Sequence, residues 1–258
     1  MMNILVSDFV TGVLIFLRIS AMIFTVPVFN NQALPVLGKL AIAILLAYVI
    51  FFTVGGIDYN GDINLVVLAL MGLKEIVTGI LMGLTLNFVF YGLSFAGLLI
   101  GRDMGLVMSE MFDLSSDVES NSVGVMITTL ATLIFLLING HHFVVQSLSY
   151  SFKVIPLGHY TLNDSLFNLI IKYAASIFII AIKIASPILV AFFLLHLASG
   201  IISRVSPSFQ VFFVLLPLQT ILGFILLIFV IPIYVYVIKN LLGIYEDNLL
   251  EIIKVMNY

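Results

Sequence analysis

Residues 97–121 read GLLIGRDMGLVMSEMFDLSSDVESN, and this stretch carries most of what sets the chain apart. Positions 102–119 hold six charged residues, whereas Ile76–Gly101 before them and Ser120–Phe152 after them hold no Asp, Glu, Lys or Arg. A charged break between two long uncharged runs is the pattern of apolar helices joined by a segment that leaves them. Five of the six charges are acidic: Asp103, Glu110, Asp113, Asp117 and Glu119. Among them stand Met104, Met108, Met111 and Phe112. A linker that only crosses water needs neither three methionines nor a phenylalanine. Such side chains suit a segment that packs against itself and can unpack, because methionine adapts its shape to what it touches.

The rest of the 258-residue chain supplies the frame: it is 62% hydrophobic and 9% charged. A mean hydropathy of +1.27 puts it in the membrane class. At about 20 apolar residues per spanning helix, the length allows about six such elements in one all-α integral domain over residues 1–258. The start, MMNILVSDFV, lacks the basic region of a signal peptide and carries Asp8, so cleavage is not expected. The absence of cysteine excludes disulfides and thiolate metal sites, and a net charge of −3 gives no case for nucleic acid. Tryptophan is absent too, so any aromatic belt falls to Tyr and Phe.

Apolar elements are expected at Ser7–Val28, Val36–Thr53, Ile63–Gly101, Ser122–Phe152, Leu166–Ser203 and Phe209–Ile238. The third and fifth run to 39 and 38 residues. At about 1.5 Å per residue each would approach 60 Å, against a hydrocarbon core of about 30 Å. They must tilt, bend or fold back, and Pro187, Pro217 and Pro232 offer kink points. The pattern reads as bent helical hairpins. Lys39, Arg102 and Arg204 balance Lys153, Lys239 and Lys254, so loop charges assign no orientation. Gly79 with Gly83, Gly97 with Gly101, and Gly101 with Gly105 form four-residue small-residue ladders suited to close helix packing, first of all within the chain. From Lys239 onward the sequence becomes amphipathic. Leu241, Leu242, Tyr245, Leu249, Ile252 and Met256 oppose Glu246, Asp247, Glu251 and Lys254, which suits a helix on a membrane surface, on a partner, or docked on its own protein.

No catalytic, cofactor or metal site is expected. His141 and His142 are adjacent rather than four apart, and no carboxylate lies within 20 residues of them, so they read as a polar element end. His196 reads as a hydrogen-bonded packing residue. No nucleophile elbow or phosphate-binding lysine loop is present. Charges inside apolar elements are the better signal. Arg18, Lys74, Glu75 and Lys183 each predict a polar interior, a partner subunit or a position outside hydrocarbon, since a basic residue at the bilayer midplane costs about 2.5–3.5 kcal/mol. Lys74 and Glu75 point apart on a helix and are not each other's partner. If these charges couple ions, the chain would instead be a self-contained small-molecule transporter, although no internal repeat supports that.

Three segments together resemble one family: RISAMIFTVPVFNNQALPVLGKLAIA (Arg18–Ala43), GLLIGRDMGLVMSEMFDLSS (Gly97–Ser116) and LASGIISRVSPSFQVFFVLLP (Leu197–Pro217). They are similar to the FliR/SctT family of type III secretion export-gate proteins, and the likeness runs through nearly the whole chain and leans to the flagellar members over the virulence ones. The resemblance implies a non-enzymatic subunit that assembles with FliP and FliQ into a closed helical gate, beside FlhB and FlhA, through which unfolded export substrates pass. It implies a place at the flagellar basal body in the bacterial inner membrane. It also implies a FliP-like part over about 1–150, a FliQ-like hairpin over about 160–258 with an amphipathic helix at 239–258, and a plug loop at 104–119. On that reading Phe112 is the stopper, Met104, Met108 and Met111 seal around it, and Asp113 with its acidic neighbours hydrates the displaced loop. Arg18, Lys74, Glu75, Arg102, Lys183 and Arg204 become buried polar or subunit-contact residues, Arg204 with Ser206 and Pro207 at a helix break. Gln219 stands where many family members carry a basic residue.

Overall fold

The computed structural model describes residues 2–30, 34–54, 65–106, 121–158, 163–206 and 211–256. Among them are seven helices and no strand: α1 (Met2–Thr25), α2 (Val36–Val54), α3 (Leu65–Asp103), α4 (Ser122–Leu137), α5 (Gly140–Val154), α6 (Asp164–Val205) and α7 (Val211–Val255). Five are long and apolar enough to cross a membrane, and α4 with α5 makes a sixth candidate as a broken pair. The six expected elements are therefore present, with two changes at their joints. Asn139, at φ 63°, breaks the expected Ser122–Phe152 element into α4 and α5. The tail from Lys239 is not a separate helix, because α7 runs without interruption from Val211 to Val255.

The over-long elements do not fold back. α3, α6 and α7 are single helices of 39, 42 and 45 residues, and α6 and α7 continue through their prolines. Pro187 lacks the N–H that would bond the carbonyl four residues earlier. That carbonyl belongs to Lys183, and Ser186 Oγ donates to it at 3.1 Å.

The chain forms two compact units, and α3, α6 and α7 contribute residues to both. The first comprises Met1–Phe88, Asn139–Ala174 and Leu242–Tyr258. Its centre is the buried stripe Leu14, Ile15, Ile19, Met22 and Ile23 of α1, which packs on α2. α3 lies against α1 at Gly79, where any Cβ would collide with the Arg18 carbonyl and the Ala21 side chain, so the close approach requires glycine. The amphipathic tail belongs to this unit. Leu242, Leu249, Ile252, Ile253 and Met256 are buried. Tyr173 Oη donates to Glu251 at 2.5 Å, and Asn163, which caps the start of α6 through the Leu166 N–H, donates to the Val255 carbonyl at 3.2 Å. Of the three settings open to an amphipathic tail, the fold adopts docking on its own chain.

The second unit comprises Val89–Ile138 and Ala175–Leu241. Its core joins Leu93, Ala96 and Ile100 of α3, Ile127, Ala131 and Phe135 of α4, and Ile184, Ile188 and Phe192 of α6. Tyr234 of α7 donates to the Ile184 carbonyl at 2.8 Å, which satisfies a buried hydroxyl on the face of a proline-containing helix.

Candidate functional site

Two constellations gather the polar side chains, one in each unit. In the first unit Arg18 is wholly buried, and its guanidinium is shared among three acceptors. Nε donates to Glu75 Oε2 at 2.5 Å, Nη1 to Ser151 Oγ at 3.2 Å and Nη2 to the Ile155 carbonyl at 3.2 Å. The Phe152 ring lies 4.3 Å from the guanidinium carbon. Glu75, 1% exposed, uses its other oxygen to accept from the Gly158 N–H at 2.8 Å. One ion pair thus ties α1, α3, α5 and the turn after α5. The planar five-donor guanidinium suits this fork, which an ammonium would not fill. Lys74, next to Glu75, is exposed and donates to the carbonyl of the same Gly158 at 3.3 Å.

The second constellation roots the charged segment 102–119. At its first end α3 stops at Asp103 and Met104 follows, fully buried. Thr220 Oγ1 donates to the Met104 carbonyl at 2.9 Å. A Cβ at Gly223 would stand 2.7 Å from Met104 Cε and 2.8 Å from its Sδ, so the methionine occupies the space a side chain would fill. Gly105 turns at φ 77°, the left-handed region open to glycine. Beside it, Gln219 Nε2 and His196 Nε2 lie 2.6 Å apart. Leu216, Gln219, Thr220 and Gly223 recur three and four apart, so one stripe of α7 faces this root. At the other end Asn121 caps α4 by accepting from the Gly124 N–H at 2.9 Å, while its Nδ2 donates to the Ser94 carbonyl at 2.7 Å.

Met108, Met111, Phe112 and Asp113 lie outside the described residues. Arg102 and Arg204, in the last turns of α3 and α6, and Lys183, in mid-α6, are exposed. α6 ends at Val205 with the Ser206 N–H on the Ile202 carbonyl, and Pro207 falls outside the described residues. His141 and His142 sit in the first turn of α5 with ring centroids 4.2 Å apart, and no cluster suited to a metal occurs among the described residues. Sequence reasoning missed Thr220 and Gly223. The available signal was a lone glycine in the bulky run QTILGFILL, one helical turn after a threonine.

The class so defined is an all-helical membrane protein with a firmly rooted charged segment and no assembled catalytic or metal centre among its described residues. Residues 9–244 match the model of bacterial export proteins, family 1, and the chain belongs to this FliR family of export-apparatus components, which are not enzymes. It is 30% identical to the flagellar biosynthetic protein FliR of Bacillus subtilis (strain 168), over 98% of this chain and the whole of that one. It is 29% identical to the protein of the same name from Aquifex aeolicus (strain VF5), over 90% of this chain and 89% of the other. With that of Escherichia coli (strain K12) it shares 28% identity over 84% of this chain and 82% of the other.

Proposed function

We propose that this chain is a subunit of the flagellar type III export gate in the bacterial inner membrane at the basal body, assembled with FliP and FliQ beside FlhB and FlhA. In that gate the segment 104–119 is the plug that closes the path of unfolded export substrates. The observation that carries the reading is the match to flagellar relatives over nearly the full length. The long helices support it. At about 1.5 Å per residue, α3, α6 and α7 approach 60–70 Å, about twice a hydrocarbon core, so much of their apolar surface needs protein partners. That surface is large and includes Leu65, Phe193, Phe213 and Phe229. The FliP-like part over about 1–150 and the FliQ-like part over about 160–258 would meet their counterparts there, with Arg102, Lys183 and Arg204 as exposed contact candidates.

The rooted segment supports the plug. Ser94, which holds Asn121, lies ten residues before Met104, about 15 Å along α3 at 1.5 Å per residue. The chain between the two roots has a contour of about 50 Å at roughly 3.3 Å per residue. Fixed ends and a long contour let the apolar residues Met108, Met111 and Phe112 reach a channel axis while the acidic residues keep the displaced form soluble. The transporter reading loses ground, because the carboxylate of Glu75 is already committed to Arg18 and Gly158.

Native mass spectrometry after co-expression with the FliP and FliQ homologues of the same cell tests the proposal. The expected result is one large complex with a single copy of this chain and several copies of each partner. A stable lone monomer or homo-oligomer would overturn the proposal.

A further inference from the structure

We infer that Lys183 is a docking point of the gate: its ammonium takes a carboxylate from another subunit, presented by an apolar helix that bears one Asp or Glu at that level. The inference rests on the gate reading above and names the chemistry of one contact in it. Lys183 stands in mid-α6, 19 residues after Asp164 and 22 before Val205, about 28 and 33 Å along the helix. It is exposed, and no hydrogen bond or ion pair holds its ammonium among the described residues. Its setting is apolar. Ile179, Val190 and Leu194 share its side of the helix and Ile182 flanks it, each more than half exposed. The opposite side, with Ala181, Ala185, Ile188 and Phe192, is buried in the core of the second unit. A charge on such a ridge has to be met from outside the chain.

Lipid does not meet it. The Tyr234 hydroxyl on the Ile184 carbonyl and the Gln219–His196 contact set α6 and α7 antiparallel in this unit, so Lys183 is level with Tyr234. Lys239 follows Tyr234 by five residues, about 8 Å to one side. His196, which Asp103 faces, lies 13 residues after Lys183, about 20 Å to the other side. A hydrocarbon slab of about 30 Å with Lys183 at either boundary therefore takes in Lys239 or the Asp103–His196 group. Protein is left, and protein of a particular kind. A helix without charge would leave the ammonium desolvated and unpaired, whereas one carboxylate offsets that cost. A helix with many charges would not cover the apolar ridge on either side. A second copy of this chain offers no such group from the same unit. Asp103 is the only carboxylate among the described residues there, and it faces His196 and Arg102. The pair also selects register, because an acid placed one turn away leaves two buried charges apart.

The test uses the complex made by co-expression with the FliP and FliQ homologues of the same cell, read by native mass spectrometry and by melting temperature. This chain carries Lys183→Glu or Lys183→Met. Each Asp or Glu within an apolar run of the partner chains is then changed to Lys, one at a time, against Lys183→Glu. The assembled fraction is expected to fall at least about tenfold in Lys183→Glu, where two carboxylates meet. Lys183→Met is expected to assemble with a lowered melting temperature. One partner lysine alone is expected to restore Lys183→Glu, and that rescue also shows that the variant folds. Assembly and melting unchanged in both variants would overturn the inference and leave the gate reading standing. So would a loss that no partner lysine restores. A melting temperature raised by added phosphatidylglycerol in the unaltered complex, but not in Lys183→Met, would assign the contact to a lipid headgroup and overturn it too. Failure of the unaltered chain to enter a complex with these partners would overturn the gate reading itself, and this contact with it.

Discussion

Truncating Glu75 to alanine strands the Arg18 guanidinium in a site where it is 0% exposed. The remaining acceptors, Ser151 Oγ and the Ile155 carbonyl, are neutral, and the Phe152 ring offers only its quadrupole. Removing one member of a buried pair typically costs about 3–5 kcal/mol, because an uncompensated charge is left inside. Arg18→Met carries a similar cost from the other side, leaving the carboxylate with the Gly158 N–H as its one remaining hydrogen bond shown here. The double variant Arg18→Met, Glu75→Ala buries no charge. It leaves the Ile155 carbonyl and the Gly158 N–H without these partners, at about 1–3 kcal/mol each, while Ser151 Oγ still donates to the Leu148 carbonyl at 2.8 Å. The single costs sum to about 6–10 kcal/mol and the double comes to about 2–6, so the pair is coupled by about 4 kcal/mol.

Thermal unfolding of the assembled complex in mild detergent, run as a four-member cycle, reads this coupling directly. A native domain is stable by only about 5–15 kcal/mol. Both single variants are therefore expected to accumulate poorly in membranes, and the double variant to recover much of the loss. Additive single effects, with the double as poor as their sum, would refute the reasoning and mark the two residues as independent packing positions. Single losses under about 1 kcal/mol would refute it as well, since they would mean that water reaches the site.

The second root of the charged segment is testable in the same way. Asn121→Ala removes both the cap of α4 and the bond to Ser94, and about 1–2 kcal/mol of stability should go with them in a melt of the assembled complex. Asn121→Asp keeps the cap acceptor and loses the donor, so it should fall between alanine and the native residue. The docked tail predicts that Leu249→Ala, at a wholly buried position, costs about 2–5 kcal/mol and, by loosening the helix around the already exposed Lys254, speeds tryptic cleavage there. Unchanged proteolysis of that variant would mean that the tail is held elsewhere.

How much of this was legible in the sequence depends on what kind of residue marked it. The positions of the helices were legible, because long uncharged runs leave few other choices in an apolar medium. The partners of those helices were not. A helix that is apolar all round has no pattern to say which side faces which neighbour, and α3 is such a helix over most of its 39 residues. Its packing faces are marked by exceptions: Gly79 where α1 approaches, Glu75 where a charge is buried, and Gly97 where the backbone of α4 at Gly124 comes close. The sequence flagged Arg18 and Glu75 as charges in need of company, and it did not pair Glu75 with Lys74; both in fact meet Gly158. That Arg18 and Glu75 satisfy each other, 57 residues apart, only the fold could say. The break at Asn139 was half legible: Asn139, Gly140, His141 and His142 read as a polar element end or turn, yet the stretch Ser122–Phe152 reads as one element, because it carries no charge.

The two constellations differ in energy in a way that fits different duties. The Arg18–Glu75 clamp is ionic, buried and coupled to three elements, so opening it exposes charge to a medium that cannot solvate it. It suits a joint that stays closed once made. The root at Met104 grips its residue through uncharged contacts, with the partly buried Asp103 beside it facing His196 and Arg102. It consists of a hydroxyl-to-carbonyl bond, worth about 0.5–1.5 kcal/mol net, and a flexible thioether in a glycine notch, which can leave and return by changing rotamer. If 104–119 is the plug proposed above, an attachment of this second kind is what would let it yield to a passing chain and reseat, whereas a charged root would hold it shut. The division also explains why a methionine stands at residue 104: the notch rewards a side chain that is long, unbranched and apolar, and methionine combines these with the freest rotation among the buried residue types.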